Sequence, residues 1–190
     1  MTRIAPIARD NADEKSQALL DGVQAKLGMT PNLMSTFAHS SAALDAYLKF
    51  SDALSKGDLS GKTREKIALA VGQANDCQYC LSAHSAIGKM VGLSAEEILD
   101  ARMANASDTK TDAILKLSKQ IVETRGKVSD ADVAAARTAG VTDAEITEVV
   151  ANTALNLLTN YFNHVAETEV DFPAAEALSA SETCSAGCAQ

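Results

Sequence analysis

Between Ala12 and Leu27 the apolar residues Leu19, Leu20, Val23 and Leu27 recur at helical spacing, and Gly28 stops the run. Pro31 opens a short second helix, and a third runs from Ala42 to Leu54 on Leu44, Tyr47, Leu48 and Leu54. Gly57 and Gly61 punctuate a loop. Thr63 to Gln73 reads as an amphipathic helix with Ile67, Leu69, Ala70 and Val71 as its apolar contacts. Asn75-Asp76 breaks the chain, and the next helix extends to about Met90. Further on, Ile114, Leu117, Ile121 and Val122 mark a helix from Asp112 to Thr124. A long helix from Asp143 to about Glu167 carries Ile146, Val149, Val150, Leu155, Leu158 and Phe162, and these stripes read as core. Asp171-Phe-Pro173 ends the regular part, and the small, polar tail from Ala174 to Gln190 is expected to be loose at its end.

Local signals agree with this reading. In Gly92-Leu-Ser94-Ala-Glu-Glu97 and Gly140-Val-Thr142-Asp-Ala-Glu145, a glycine ends one helix and a capping box starts the next. Alanine, leucine, glutamate and lysine dominate, with 3 prolines and no tryptophan. The expected fold class is therefore all-α. A length of 190 residues suits one domain with a sizeable core, residues 1–173, followed by the tail 174–190.

A net charge of −8 argues against nucleic acid, whose phosphates this surface would repel. Met1 to Ala12 carries Arg3, Pro6, Arg9 and Asp10 with no long apolar run, so no export signal or membrane span is expected. A cytoplasmic location follows as the expectation, and there a close cysteine pair is catalytic or metal-binding more often than a structural staple.

The chemistry concentrates in Cys77-Gln-Tyr-Cys80-Leu-Ser-Ala-His84, with Glu65 twelve positions before Cys77. Thiols three apart and a histidine four further on share one face of a helix, and such a pair can cycle between dithiol and disulfide. The helix dipole acts most strongly on Cys77, whereas the spacing of His84 serves Cys80. A competing reading makes Cys77, Cys80 and His84 zinc ligands, completed by His39, His164 or Cys184. In isolation Glu65 reads as a solvated helix residue, His39 and His164 as polar groups at helix ends, and Tyr79 as packing. Cys184-Ser-Ala-Gly-Cys188 can exchange with the first pair, bind metal or be inert, and inert is the default.

Taken together, Glu65, Cys77, Cys80 and His84 at these distances resemble the catalytic signature of AhpD-like alkylhydroperoxidases in the carboxymuconolactone decarboxylase superfamily. Thr30-Pro-Asn32-Leu-Met, the His39-Ser-Ser segment, and Asn163 with Val170-Asp171-Phe172-Pro173 resemble the family's flanking segments, so the similarity covers roughly residues 25–173. The resemblance implies an AhpD-like domain with a helical-hairpin core that assembles into a trimer or hexamer. It implies Cys80 as the peroxidatic thiol, Cys77 as the resolving thiol and Glu65 with His84 as a proton relay. No haem, flavin or metal is implied, and electrons come from an external lipoyl-type or thioredoxin-like dithiol. One departure stands out: Tyr79 occupies the position of a second histidine in the best-known AhpD proteins. The alternatives are a carboxymuconolactone-type decarboxylase, which needs no thiol pair, and a non-enzymatic redox sensor.

Overall fold

The computed structural model describes residues 2–178. Among the described residues there are nine α-helices and no strands: α1 (Glu14–Leu27), α2 (Asn32–Phe37), α3 (Ser41–Leu54), α4 (Gly61–Ala74), α5 (Gln78–Met90), α6 (Ala95–Arg102), α7 (Thr109–Thr124), α8 (Asp130–Thr138) and α9 (Asp143–Ala166). None of them is long and apolar enough to cross a membrane.

Helix α4 is the hub, in contact with α5, α6, α7 and α9. The reason lies in its sequence. The run Ile67-Ala-Leu-Ala-Val-Gly72 is buried at every position, so this half of the helix is apolar all round and must be surrounded. The amphipathic expectation holds only for the first turns, which carry Lys62, Arg64, Glu65 and Lys66. One core half joins Ile67, Leu69 and Val71 to residues of α6, α7, α8 and α9, among them Ile98, Leu115 and Val149. The other half is built from α1, α2, α3 and α5, and it includes Cys77, Tyr79 and Cys80 beside Leu20, Phe37 and Leu44. The thiols are thus core residues of the second half.

Both expected capping boxes form, Ser94 with Glu97 and Thr142 with Glu145. A third, Ser129 with Asp132, starts α8, a helix the hydrophobic pattern did not single out. Its aspartate reaches back to the cap in the way glutamate normally does, and its only fully buried residue is Ala136.

Helix α9 differs most from expectation. Of its apolar positions Val149 is buried, but Val150 and Leu158 are exposed together with Tyr161 and Val165. The inward face instead carries Asn152, Thr153, Asn156, Thr159, Asn160 and Asn163. Several of these side chains return to their own helix: Asn152 donates to the Glu148 carbonyl at 2.8 Å and Asn156 to the Asn152 carbonyl at 2.8 Å. The carboxylate of Glu148 also ties α9 to the loop before α4, accepting from the Asp58 and Leu59 amides at 2.8 and 3.0 Å.

After α9 the chain runs back over the second core half as a strap. Asp171 Oδ2 accepts from the Asn32 amide at 2.7 Å, the Glu169 carbonyl accepts from Asn32 Nδ2 at 3.1 Å, and the Ala175 amide donates to Ser82 Oγ at 3.2 Å. The first residues of the expected tail are therefore held against α5, while Cys184 and Cys188 lie outside the described residues.

Because Leu69 sits where four helices meet, Leu69→Ala is expected to cost about 2–5 kcal/mol of stability, the range for a truncated buried leucine. Met90→Ala, at an exposed helix end, should stay within about 0.5 kcal/mol. Chemical denaturation midpoints of the two variants measure the difference.

Candidate active site

The turn between α4 and α5 sets the geometry. Asp76 adopts a left-handed conformation (φ 53°), one that aspartate tolerates better than most side chains. The Cys77 amide then donates to the Gly72 carbonyl at 2.9 Å. This places Cys77 at the N-cap of α5, with its Sγ accepting from the Cys80 amide at 3.4 Å. Both cysteines are free thiols, 1% and 2% exposed.

One turn beyond Cys80, His84 Nδ1 meets Glu65 Oε2 at 2.7 Å, bringing together side chains from α5 and α4. All four residues singled out from the sequence therefore gather at the contact of these two helices. Burial lowers the His84 pKa, but the charge of Glu65 and its hydrogen bond more than offset this, and the imidazole ends above its ordinary value. Glu65 is paired here, not merely solvated.

The two thiols titrate as a pair. Cys77 lies below the ordinary thiol value, first because of the hydrogen bond it shares with Cys80, with the Cys80 amide, Asn163 and the charge of His84 adding to the effect. Cys80 is pushed up, first by Cys77 and then by burial. The two shifts run in the direction that favours charge on Cys77, the sulfur nearer the helix end. Opposing the rise at Cys80 is Asn163 on α9, whose Nδ2 donates to Cys80 Sγ at 3.3 Å.

Tyr79 is a bolt between the thiols. Its hydroxyl donates to Asp171 Oδ1 at 2.8 Å and accepts from the Leu33 amide at 3.1 Å, and its ring stands edge-on to Phe172, with centroids 5.8 Å apart. Burial and the neighbouring Asp171 carboxylate push its pKa up, so its proton stays on the ring oxygen. Tyr79 anchors the first turn of α5 to α2 and the strap.

Tyr47 and Asn160 had drawn no chemical notice in the sequence. Tyr47, on α3, stacks on Phe37 with centroids 5.6 Å apart; burial, then the charges of Glu65 and Cys80, push its hydroxyl up to about 12. Asn160, on α9, lies near enough to Cys80 to draw its pKa down. Tyr47 sat within an apolar stripe and Asn160 within a helix, so neither carried a local signal. His39 Nε2 contacts the Ala5 carbonyl at 2.9 Å, a structural role, and His164 is exposed on the last turn of α9. Among the described residues no three His, Cys, Asp or Glu side chains form a group that can hold a metal ion.

Residues 41–123, which contain all four site residues, match the carboxymuconolactone decarboxylase family. No curated protein matches the chain. Among solved structures, the alkylhydroperoxidase AhpD core of Ralstonia eutropha JMP134, an uncharacterized peroxidase-related protein, superposes with a TM-score of 0.81 at 26% identity, over 90% of this chain and 92% of that one. An uncharacterized peroxidase-related protein from Silicibacter sp. TM1040 gives 0.79 at 24% identity, over 88% and 91%. The debrominase Bmp8, as a cysteine-to-alanine variant in complex with 2,3,4-tribromopyrrole, shares the fold with a TM-score of 0.76 at 16% identity, over 97% and 95%. The segment that holds the thiols, the glutamate and the histidine thus matches the carboxymuconolactone decarboxylase family, and over nine-tenths of its length the chain is similar in fold to an AhpD core.

Proposed function

We propose that this protein reduces hydroperoxides through a dithiol–disulfide cycle at Cys77 and Cys80. The observation that carries the reading is the Glu65–His84 contact at 2.7 Å beside two buried free thiols, one of them more acidic than usual. In the resting pair Cys77 holds the charge and Cys80 the proton, and the two share it. As Cys80 sulfur attacks the distal peroxide oxygen, its proton passes to neutral His84, which Glu65 orients. The O–O bond breaks, the alkoxide or hydroxide takes that proton from His84, and Cys80 becomes a sulfenic acid. Cys77 thiolate then attacks Cys80 sulfur, the S–O bond breaks, and the hydroxide leaves as water after taking up a proton. An external lipoyl-type or thioredoxin-like dithiol returns two electrons to the disulfide. No step calls on haem, flavin or metal. A decarboxylase would leave the thiols without a task, and a redox sensor would be oxidised once without turnover.

Peroxide consumption should be sustained by a dithiol donor in the wild type and lost in Cys80→Ser, while Cys77→Ser should react once and stall as sulfenic acid on Cys80. Glu65→Gln should slow turnover by about 10²–10⁴-fold. A brominated pyrrole serves as the control substrate, given the Bmp8 likeness. If no dithiol donor sustains turnover although peroxide oxidises the pair, the sensor reading replaces this one.

Acting as base requires neutral His84, so the rate should rise with pH through the raised pKa of the imidazole. The sign for stability is opposite. The histidine's pairing contributes fully below its unfolded pKa of about 6.5 and is lost as the pH rises through the folded value. In Glu65→Gln the burial effect is opposed only by the charge of Cys77, and the His84 midpoint, followed by NMR of the imidazole, should move downward. An unmoved midpoint would remove Glu65 from the relay.

We also propose that α9 is the contact between subunits of a homo-oligomer. Val150, Ala154, Leu158, Tyr161 and Val165 form one exposed uncharged stripe, and the small Ala154 permits a second copy of the helix to approach closely. Leu158→Glu should shift the mass measured by light scattering toward the monomer, and a mass already monomeric in the wild type would refute the contact.

A further inference from the structure

We propose that Asn160 and Asn163 form the slot that receives the oxygen atom peroxide leaves on Cys80. Both lie on the inward face of α9, one turn apart, and are 0% and 5% exposed. Asn163 Nδ2 donates to Cys80 Sγ at 3.3 Å, and its Oδ1 is buried with no hydrogen-bond partner among the described residues. Asn160 is oriented from the other side. Asn75 Nδ2 donates to the Val71 carbonyl at 3.0 Å, which can only accept, and the same nitrogen donates to Asn160 Oδ1 at 3.0 Å. That arrangement commits the oxygen of Asn160 to Asn75 and leaves its Nδ2 buried with no hydrogen-bond partner among the described residues.

A donor and an acceptor, both costly to bury unpaired, therefore flank one sulfur. Their complement is a group that both accepts and donates, and the hydroxyl of a sulfenic acid is such a group. Asn160 Nδ2–H meets the oxygen, and the S–O–H proton meets Asn163 Oδ1. The step balances as above: Cys80 sulfur forms a bond to the distal oxygen, the O–O bond breaks, sulfur is oxidised by two electrons and the alkoxide leaves as alcohol.

This assignment rests on the peroxide reading, and the test separates the two. In Cys77→Ser the rate of Cys80 oxidation by hydrogen peroxide and the lifetime of the sulfenic acid, trapped by dimedone and located by mass spectrometry, are compared with and without Asn160→Leu. Should leucine unfold the chain, Asn160→Ala takes its place, with thermal unfolding checked for each. The expected result is a loss of about tenfold in oxidation rate or lifetime, the effect of one lost hydrogen bond to a buried polar group. Alkylation of Cys80 by iodoacetamide, which transfers no oxygen, should change far less. Equal losses in alkylation and oxidation, or no loss in either, would overturn the slot while leaving the peroxide reading intact. Absence of any sulfenic acid in the Cys77→Ser parent would bring down the peroxide reading and the slot with it.

Discussion

Cys77 caps α5 with a sulfur, whereas α1, α3, α4, α6, α7, α8 and α9 are all capped by an aspartate, serine or threonine oxygen. A neutral thiol is a weak acceptor, so this cap is strong only when the sulfur carries charge. The first turn of α5 and the ionisation of Cys77 therefore support each other: the amide of Cys80 favours the thiolate, and the thiolate satisfies an amide the helix would otherwise leave open. The left-handed Asp76, the close turn at Gly72 and the apolar run of α4 all serve to hold this sulfur at that helix end.

Around the cap the charges are arranged in sequence from the surface inward. Glu65 and His84 form a half-buried hydrogen-bonded pair, the thiol pair lies deeper, and behind it stand the amides of α9. A low-dielectric setting strengthens each of these contacts and makes each unpaired group expensive. It also explains why α9 spends a buried face on asparagine and threonine, where leucine would add more hydrophobic stabilisation. The face next to the sulfur carries fixed dipoles, and Val150, Leu158 and Val165 are left to the outside.

Much of the fold was legible because helix period, glycine stops and capping boxes act locally. The four site residues were legible because two helices in register turn linear spacing into contact, as Glu65 and His84 show. What escaped notice is non-local. The Asp132 cap of α8 uses a shorter side chain than the usual pattern, and α8 buries too little to leave a stripe. On α9, Ile146, Val149 and Phe162 pack inward as expected, but Val150 and Leu158 do not, because asparagines and threonines share the face that meets Cys80 on another helix. Tyr79 found its partner ninety-two residues along the chain at Asp171, beyond the reach of any local motif.

That long-range bolt has a kinetic meaning. With both thiols buried, an oxidant reaches them only through local opening, so on the proposed function the observed rate is the product of an opening equilibrium and an intrinsic reactivity. The carboxylate of Asp171 grips both the Tyr79 hydroxyl and the Asn32 amide, and it acts on the first factor alone. On the proposed function, loosening that grip would leave the thiols more open to any oxidant, and tightening it would shield them, with no atom of the sulfur pair altered. On that reading, reactivity and protection from indiscriminate oxidation are set against each other by one aspartate far along the chain and close in space.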